Sequence, residues 1–431
     1  MSFQMEAPAG AMAGLYWKRH EHDVTTVKRL GDLCSKPRLD NIDMPVLLGF
    51  AMRTVPLPWR THIRGVSRIP FQTMAMIGPA YAVTQPRLAT TGKTLWSFDP
   101  AVPISVNAEQ LASLTTLDPA ATWFADSGGQ ASALWPSAYH GARFAHAMQD
   151  GTVQILNGPV GESTIVIDRV QVAETDTELS PVWPIQRGWL GVARVLIAAA
   201  ASGISTVVTG HGVRRALSAT DVELHELRPG SWTGELAPFA ALRTGYFRHR
   251  DRAVSKPADH PPWLRSSVAH EVLAMQNATG VIWQRWGSDW LREWADPGLA
   301  WVLDIADEVG VQLRIPAWEP DMMATLVAVP RHARIRIRNG LIEDAPLLRS
   351  LTGPGRRRAP GKTVRALEDA TWVASADGLA ALDRLPHGQM AIAGCLDSDV
   401  IRAIVADPFT RTSRSGLLRR LSCLDRWLGQ S

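Results

Sequence analysis

Cysteine is nearly missing from this chain of 431 residues. Cys34, Cys395 and Cys423 are too few and too scattered for a disulfide framework or a cysteine-based zinc site. Lysine is scarce too: of 45 basic residues only six are Lys (Lys18, Lys28, Lys36, Lys93, Lys256, Lys362), so almost every basic contact is a guanidinium contact. Long apolar runs are missing. The longest, Trp189 to Ala201, is interrupted by Arg194 and falls short of the ~20 residues a bilayer span needs. The opening MSFQMEAPAGAMAG has neither a basic n-region nor an apolar h-region, so it does not read as a secretory signal. These gaps predict an intracellular protein with reduced thiols, in a virion or the cytoplasm, that is not secreted and makes no membrane contact. No internal repeat of solenoid or propeller type is visible.

What is present is a folded composition with an uneven charge. Apolar residues make up 46% and charged ones 20%, which excludes a disordered tail. Tryptophan is abundant, 17 against 4 Tyr. The formal charge of +4 divides into +5 over residues 1–100, −8 over 101–330 and +7 over 331–431. Basic ends around an acidic middle predict two differently charged faces, one able to meet a polyanion.

The sequence pattern predicts an α+β fold with a helix-rich C-terminal half. Three segments are expected: an N-terminal arm (1–30), a mixed lobe with Pro-rich loops (31–256), and a helix-rich lobe carrying a basic strand and loop (257–431). Frequent prolines limit the first 150 residues to short strands, with a short helix over 107–117. Thr152–Leu156 and Ser163–Val172 read as a hairpin, Gly188–Ala201 as a helix closed by Ser202-Gly203, and Ile204–Thr209 as a buried strand. Helices are expected over 281–309, 363–385, 399–406 and 415–428, and strands over Val311–Ile315, Thr325–Val329 and Ala333–Arg338.

Motifs with chemistry are weak. The run Gly353 to Thr363 ends in GKT, but Gly355 is one residue too far from it and Pro360 removes an amide that a phosphate loop needs. Gly92-Lys93-Thr94 is a bare tripeptide. His20-Glu21-His22-Asp23 crowds four ligands that cannot all turn to one ion, and His270-Glu271 lacks a second His one turn on, so no metal is expected. Ser127 in Asp126-Ser127-Gly128-Gly129 lacks the strand–helix elbow of a nucleophile. His211, between Gly210 and Gly212 after a strand, is the most site-like of the 12 His. No catalytic residue and no cofactor is assigned on this basis.

Two features remain. Arg334, Arg336 and Arg338 alternate with apolar residues, and Arg356, Arg357, Arg358, Lys362 and Arg365 follow. Together they form a basic strand and loop suited to sequence-independent phosphate contacts. Trp283, Trp286, Trp290 and Trp294 recur at helical spacing and form one aromatic face, a core stripe or an interface. With no catalytic constellation, the expectation is a structural, self-assembling protein: a homo-oligomeric viral shell subunit that encloses RNA through basic contacts. The alternatives are an enzyme (hydrolase or transferase) with a site built from distant residues near His211, Ser127 or His270, and an accessory module that binds a protein partner.

Overall fold

Proline and glycine punctuate the N-terminal hundred residues so closely that strands there run only four or five residues. The computed structural model describes residues 3–6, 15–21, 23–34, 37–52, 59–69, 73–77, 82–86, 93–125, 134, 142–148, 150–157, 165–172, 182–184, 189–217, 262–286, 297–338, 341–344, 346–352 and 361–430. The chain opens with β1 (Phe3–Glu6), β2 (Leu15–Arg19) and β3 (Val24–Val27), then α1 (Met44–Met52). β4 (Val66–Ile69), β5 (Thr73–Ile77) and β6 (Ala82–Pro86) follow, completing two antiparallel three-stranded sheets in the orders β1-β5-β6 and β3-β2-β4. The expected arm is therefore folded over its described part. β1 pairs with β5, β2 is the central strand of its sheet, and Tyr16 and Leu30 are buried in the main core.

The centre of the molecule is a six-stranded sheet. It is assembled from α2 (Ile104–Ser113), β7 (Thr122–Ala125), β8 (Arg143–Ala147), β9 (Thr152–Leu156), β10 (Val166–Gln171), α3 (Leu190–Ala201), β11 (Thr206–Thr209), α4 (Val213–Leu217), α5 (Ser266–Trp286), α6 (Pro297–Val309) and β12 (Gln312–Arg314). The strand order is β10-β9-β8-β7-β11-β12. β8, β9 and β10 form an antiparallel meander, whereas β8, β7, β11 and β12 run parallel. All four residues of β7 are buried, as a parallel strand covered on both faces must be. α3 buries Val192, Val195, Leu196 and Ala199, the spacing of one helical face, and packs on β7, β8, β9 and β11.

Both helices that feed the parallel strands end in the same way. After α3, Gly203 takes φ +70°, its N–H reaching Ala200 O at 3.1 Å while Ile204 N–H reaches Ala199 O at 2.9 Å. After α6, Gly310 takes φ +70°, with Val311 N–H on Ala306 O at 3.0 Å. Each is a left-handed glycine cap that turns the chain straight into a strand.

Past β12 come α7 (Pro320–Val327), α8 (Arg331–Arg334), the hairpin β13 (Ile335–Arg338) with β14 (Leu341–Asp344), and α9 (Pro346–Thr352). The rest is helical: α10 (Gly361–Ala374), α11 (Ala376–Arg384), α12 (Gln389–Ile392), α13 (Ser398–Ala406), α14 (Pro408–Ser413) and α15 (Ser415–Gln430). The fold is α+β, and its C-terminal half is rich in helices.

Three elements differ from expectation. In place of the strand over Thr325–Val329, Pro320 starts a helix that buries Met322, Met323, Thr325 and Leu326, so packing overrides β propensity. The strand expected from Ala333 begins only at Ile335, because Ala333 and Arg334 close α8. The helix expected over 363–385 is split at Ser375, whose hydroxyl accepts from Gly378 N at 3.1 Å and starts α11.

The buried side chains do not follow the boundary expected at 256/257. One cluster joins the six-stranded sheet to Leu299–Val329 and Leu347–Leu348. The other joins α1 to Trp263, Val272 and the helices after 369. α1 is thus an early segment that packs in the late core, against α5 and α15, and Arg420 Nε reaches its Ala51 carbonyl at 2.5 Å. Among the described residues no helix is long and apolar enough to cross a membrane.

Candidate functional site

The order of the parallel strands picks out one position. From β7 the chain goes on to β8 on one side; from β11 it goes on to β12 on the other. Connections that diverge from two adjacent parallel strands leave a crevice beyond their C-terminal ends, which is where open α/β sheets hold ligands. Ala125 and Thr209, the last residues of β7 and β11, are level in register. Asp126-Ser127-Gly128-Gly129 follows β7 in sequence and lies outside the described residues.

On the β11 side the chain leaves the sheet through Gly210-His211-Gly212. Gly212 has φ +80°, and a Cβ there would run into the indole Nε1 of Trp318, so glycine is needed for conformation and for space. His211 is held on two sides. The Thr209 hydroxyl lies 2.5 Å from its Nδ1, and the buried Trp189 ring stacks on it at 3.9 Å with a 17° interplanar angle. Next door, at the end of β12, Arg314 is held by Glu319 (Nε–Oε1 3.0 Å) and by the Thr116 carbonyl at 3.0 Å.

Trp318 is fully buried, yet its indole N–H has no hydrogen-bond partner among the described residues. Leaving such a donor unmade costs about 1–3 kcal/mol. Trp17, Trp123 and Trp301 share this condition; Trp318 is the one set against the Gly212 turn.

A second polar constellation lies deeper. Asp304, on the buried face of α6, accepts the Trp183 indole N–H at 2.8 Å. Burial pushes its carboxyl up to about 7, although the Trp183 bond and the Arg29 charge pull the other way. His62 is buried between the two cores, 4.7 Å from the Trp183 ring and 5.7 Å from those of Phe50 and Trp427. Burial lowers its pKa to about 4, against the 2.6 Å hydrogen bond to Val182 O. Neither residue stands out in sequence motifs. The one sequence signal for Asp304 is that it is a single acid inside the apolar run Trp301 to Ala306.

The basic and aromatic candidates are distributed as follows. Arg334 ends α8, while Arg336 and Arg338 lie on β13, where Arg336 is level with Glu343 of β14. The strand therefore carries two of the three expected arginines. Arg356, Arg357 and Arg358 lie outside the described residues; Lys362 and Arg365 fall in the first turns of α10. Trp283 and Trp286 close α5, whereas Trp290 and Trp294 lie outside the described residues. His20 and Asp23 form the turn between β2 and β3, through His20 N–H to Asp23 O at 2.9 Å. His270 is exposed on α5, its Nδ1 2.7 Å from Ser266 O. Cys395 is buried, Cys34 and Cys423 are half-buried, and none of the three is in a disulfide. No three His, Cys, Asp or Glu side chains come together as a metal set among the described residues. Compared with known proteins, the chain matches no protein-family model and no curated protein.

Proposed function

We propose that the chain is a structural, self-assembling protein: a shell subunit that meets copies of itself through at least two surfaces and encloses RNA by sequence-independent basic contacts. The observation that carries this reading is uncovered apolar surface on both lobes. At the outer strand of the six-stranded sheet, Ile167 of β10 (50%) and Ile165 just before it (62%) are exposed, and a register shift leaves Ile167 out of the ladder with β9. On the helical lobe, Leu367 (68%), Ile392 (68%) and Phe409 (82%) are exposed. Exposed apolar side chains that neighbour one another, as Ile165 and Ile167 do at the outer strand, support a surface that a partner covers, and a closed shell needs more than one such contact. Arg336, Arg338, Lys362 and Arg365, with Arg356, Arg357 and Arg358, are the residues assigned to the nucleic acid. The tryptophans from Trp283 to Trp294 are assigned to a subunit contact.

Light scattering and electron microscopy on purified protein test assembly: closed particles or large oligomers are expected, and a clean 47 kDa monomer removes the reading. An Arg336/Arg338→Ala variant that packages RNA as the parent does removes those two residues from the inner face. A second reading, an enzyme acting on a small ligand, is favoured by the diverging connections after β7 and β11.

A further inference from the structure

We propose that His62 is an acid-released latch: a second proton on its ring opens the seam between the two hydrophobic cores while each core stays folded. The latch belongs to the single chain and works whether or not copies assemble.

The seam is stitched where His62 sits. Ile42 of the helical-lobe core and Ile63 of the sheet-lobe core form an antiparallel bridge. Asp43 N–H reaches the His62 carbonyl at 2.8 Å, and Arg64 N–H reaches the Asn41 carbonyl at 2.7 Å. The His62 side chain is fully buried among three rings: Trp183 from one core, Trp427 from the other, and Phe50, which packs against both. One imidazole therefore bridges both lobes.

Its hydrogen bonds suit one ring proton and not two. The Val182 carbonyl can only accept, so Nε2, 2.6 Å away, carries the hydrogen. Nδ1 is buried and has no hydrogen-bond partner among the described residues. A second proton would make it a charged donor that faces aromatic rings and no acceptor, which burial penalises. The charged and titratable groups on the surrounding elements are engaged elsewhere. Asp43 pairs with Arg60, Arg64 reaches the Asp40 carbonyl, and Asp304 takes the Trp183 N–H. Tyr16 and Arg68 bond each other, Asp425 takes the Met390 N–H, and Arg420 holds the Ala51 carbonyl. Arg426 is exposed on α15, and the Cys423 thiol lies one turn before Trp427. Among the described residues, burial and then the Val182 bond set the acidity of the ring, and no neighbouring charge enters.

Opening the seam lets water reach Nδ1 and solvate the cation, so protonation and opening are linked. The closed form is favoured above the ordinary imidazole value, and that advantage is lost as pH falls towards 4. Between pH 7 and pH 4.5 the opening equilibrium is expected to rise on the order of fiftyfold.

The test is hydrogen exchange on the full chain at pH 7, 5.5 and 4.5, with rates corrected for the intrinsic effect of pH. Protection of the Asp43 and Arg64 amides is expected to fall on the order of fiftyfold at pH 4.5, while β7 and Leu421, inside the two cores, keep theirs. His62→Gln keeps a donor for the Val182 carbonyl and cannot take the proton, so its Asp43 and Arg64 protection should stay level with pH. His62→Phe fills the same space without an ionisable group and serves where the Gln variant does not fold. Imidazole NMR reads the parent without any substitution: the His62 ring is expected to titrate together with the loss of Asp43 and Arg64 protection. Equal protection of those amides at pH 7 and pH 4.5 overturns the proposal. So does a loss that the Gln or Phe variant retains, a ring that stays neutral when the amides open, or a loss that takes β7 and Leu421 with it.

Discussion

The sheet lobe and the helical lobe hold their helices by different means. In the sheet lobe, α2, α3 and α7 start without a side-chain cap. Their place is set by what they bury, and residues 298–306 of α6 are buried on every side. In the helical lobe, local signals do more. Ser375, Asp397 and Asp407 each accept backbone N–H groups at a helix start, and exposed polar residues alternate with Leu382, Ile401, Leu418 and Leu421 in the core. One lobe is specified by tertiary burial, the other largely by short-range sequence.

The largest test of this contrast is core truncation. Trp301→Ala in the sheet lobe is expected to cost about 3–5 kcal/mol, and Leu421→Ala in the helical lobe about 2–5 kcal/mol. Because α1 and the His62–Trp183–Trp427 contacts knit the two cores together, both variants should lower one shared unfolding transition. Calorimetry that resolves two transitions, only one of which moves in each variant, breaks the picture of two lobes in one cooperative unit.

Next in size is the pH response at that junction, where two groups act with opposite sign. Asp304 has a folded pKa raised to about 7, so its contribution is fully present below the ordinary carboxylate range and is lost as pH rises towards 7. His62 has a folded pKa lowered to about 4, so its contribution is present above the ordinary imidazole value and is lost as pH falls towards 4. Asp304 faces Trp183, with Arg29, Asp307 and Asp32 also contributing to its field, and Tyr16 responds to it. Asp304→Asn keeps an acceptor for Trp183 and removes the charge. It is expected to stabilise the protein at pH 8, by on the order of 2–4 kcal/mol, and to change little at pH 4. An equal shift at both pH values refutes the assignment.

Glycines compare the lobes at finer scale. Gly212→Ala meets both a positive φ and the Trp318 ring, and is expected to cost about 2–4 kcal/mol. Gly394→Ala in the helical lobe shares the positive φ (+71°), but its nearest neighbour is the Arg265 side-chain tip at 3.9 Å, so about 1 kcal/mol is expected. Urea unfolding midpoints rank the pair; equal costs would mean that the Trp318 contact yields without effort.

What can be read from the sequence follows local signals wherever they occur, in the sheet lobe as well as in the helical one. The hairpin of β9 and β10, the helix closed by Ser202-Gly203, the strand after it, and the helices over 399–406 and 415–428 carry their own caps, turns and periodicity, and they stand where those signals put them. Thr325–Val329 carries a strand signal but lies largely in a helix, because burial against the sheet lobe makes the choice, a contact with no local trace. The pairing of α1 with helices more than two hundred residues later is likewise invisible without the fold. His211 is legible as a glycine-flanked His after a strand. The residues packed around it, Trp189 on its ring and Trp318 against Gly212, are not, since only the fold brings them together.

The smallest expected effect bears most directly on how helices are specified. Asp397 caps α13, its Oδ1 accepting from Asp399 N and Val400 N, both at 3.1 Å. Asp397→Ala leaves two helix-start donors to water and is expected to cost about 1 kcal/mol, while Asp397→Asn or Asp397→Ser should recover most of it, because the loss is of an acceptor more than of a charge. α3 has no cap side chain to remove, and its local determinant is Gly203 at the other end, where a Cβ meets nothing within 4 Å. Gly203→Ala is therefore expected to cost about 1 kcal/mol through φ alone. Hydrogen exchange separates the two cases. Losing the cap should raise exchange only in the first turn of α13, where the cap does its work. Straining Gly203 should loosen the joint into β11, because that glycine both ends the helix and aims the strand. If Asp397→Ala instead raised exchange across the whole helical lobe, α13 would be held by burial, as the sheet-lobe helices are, and the contrast between the lobes would fall.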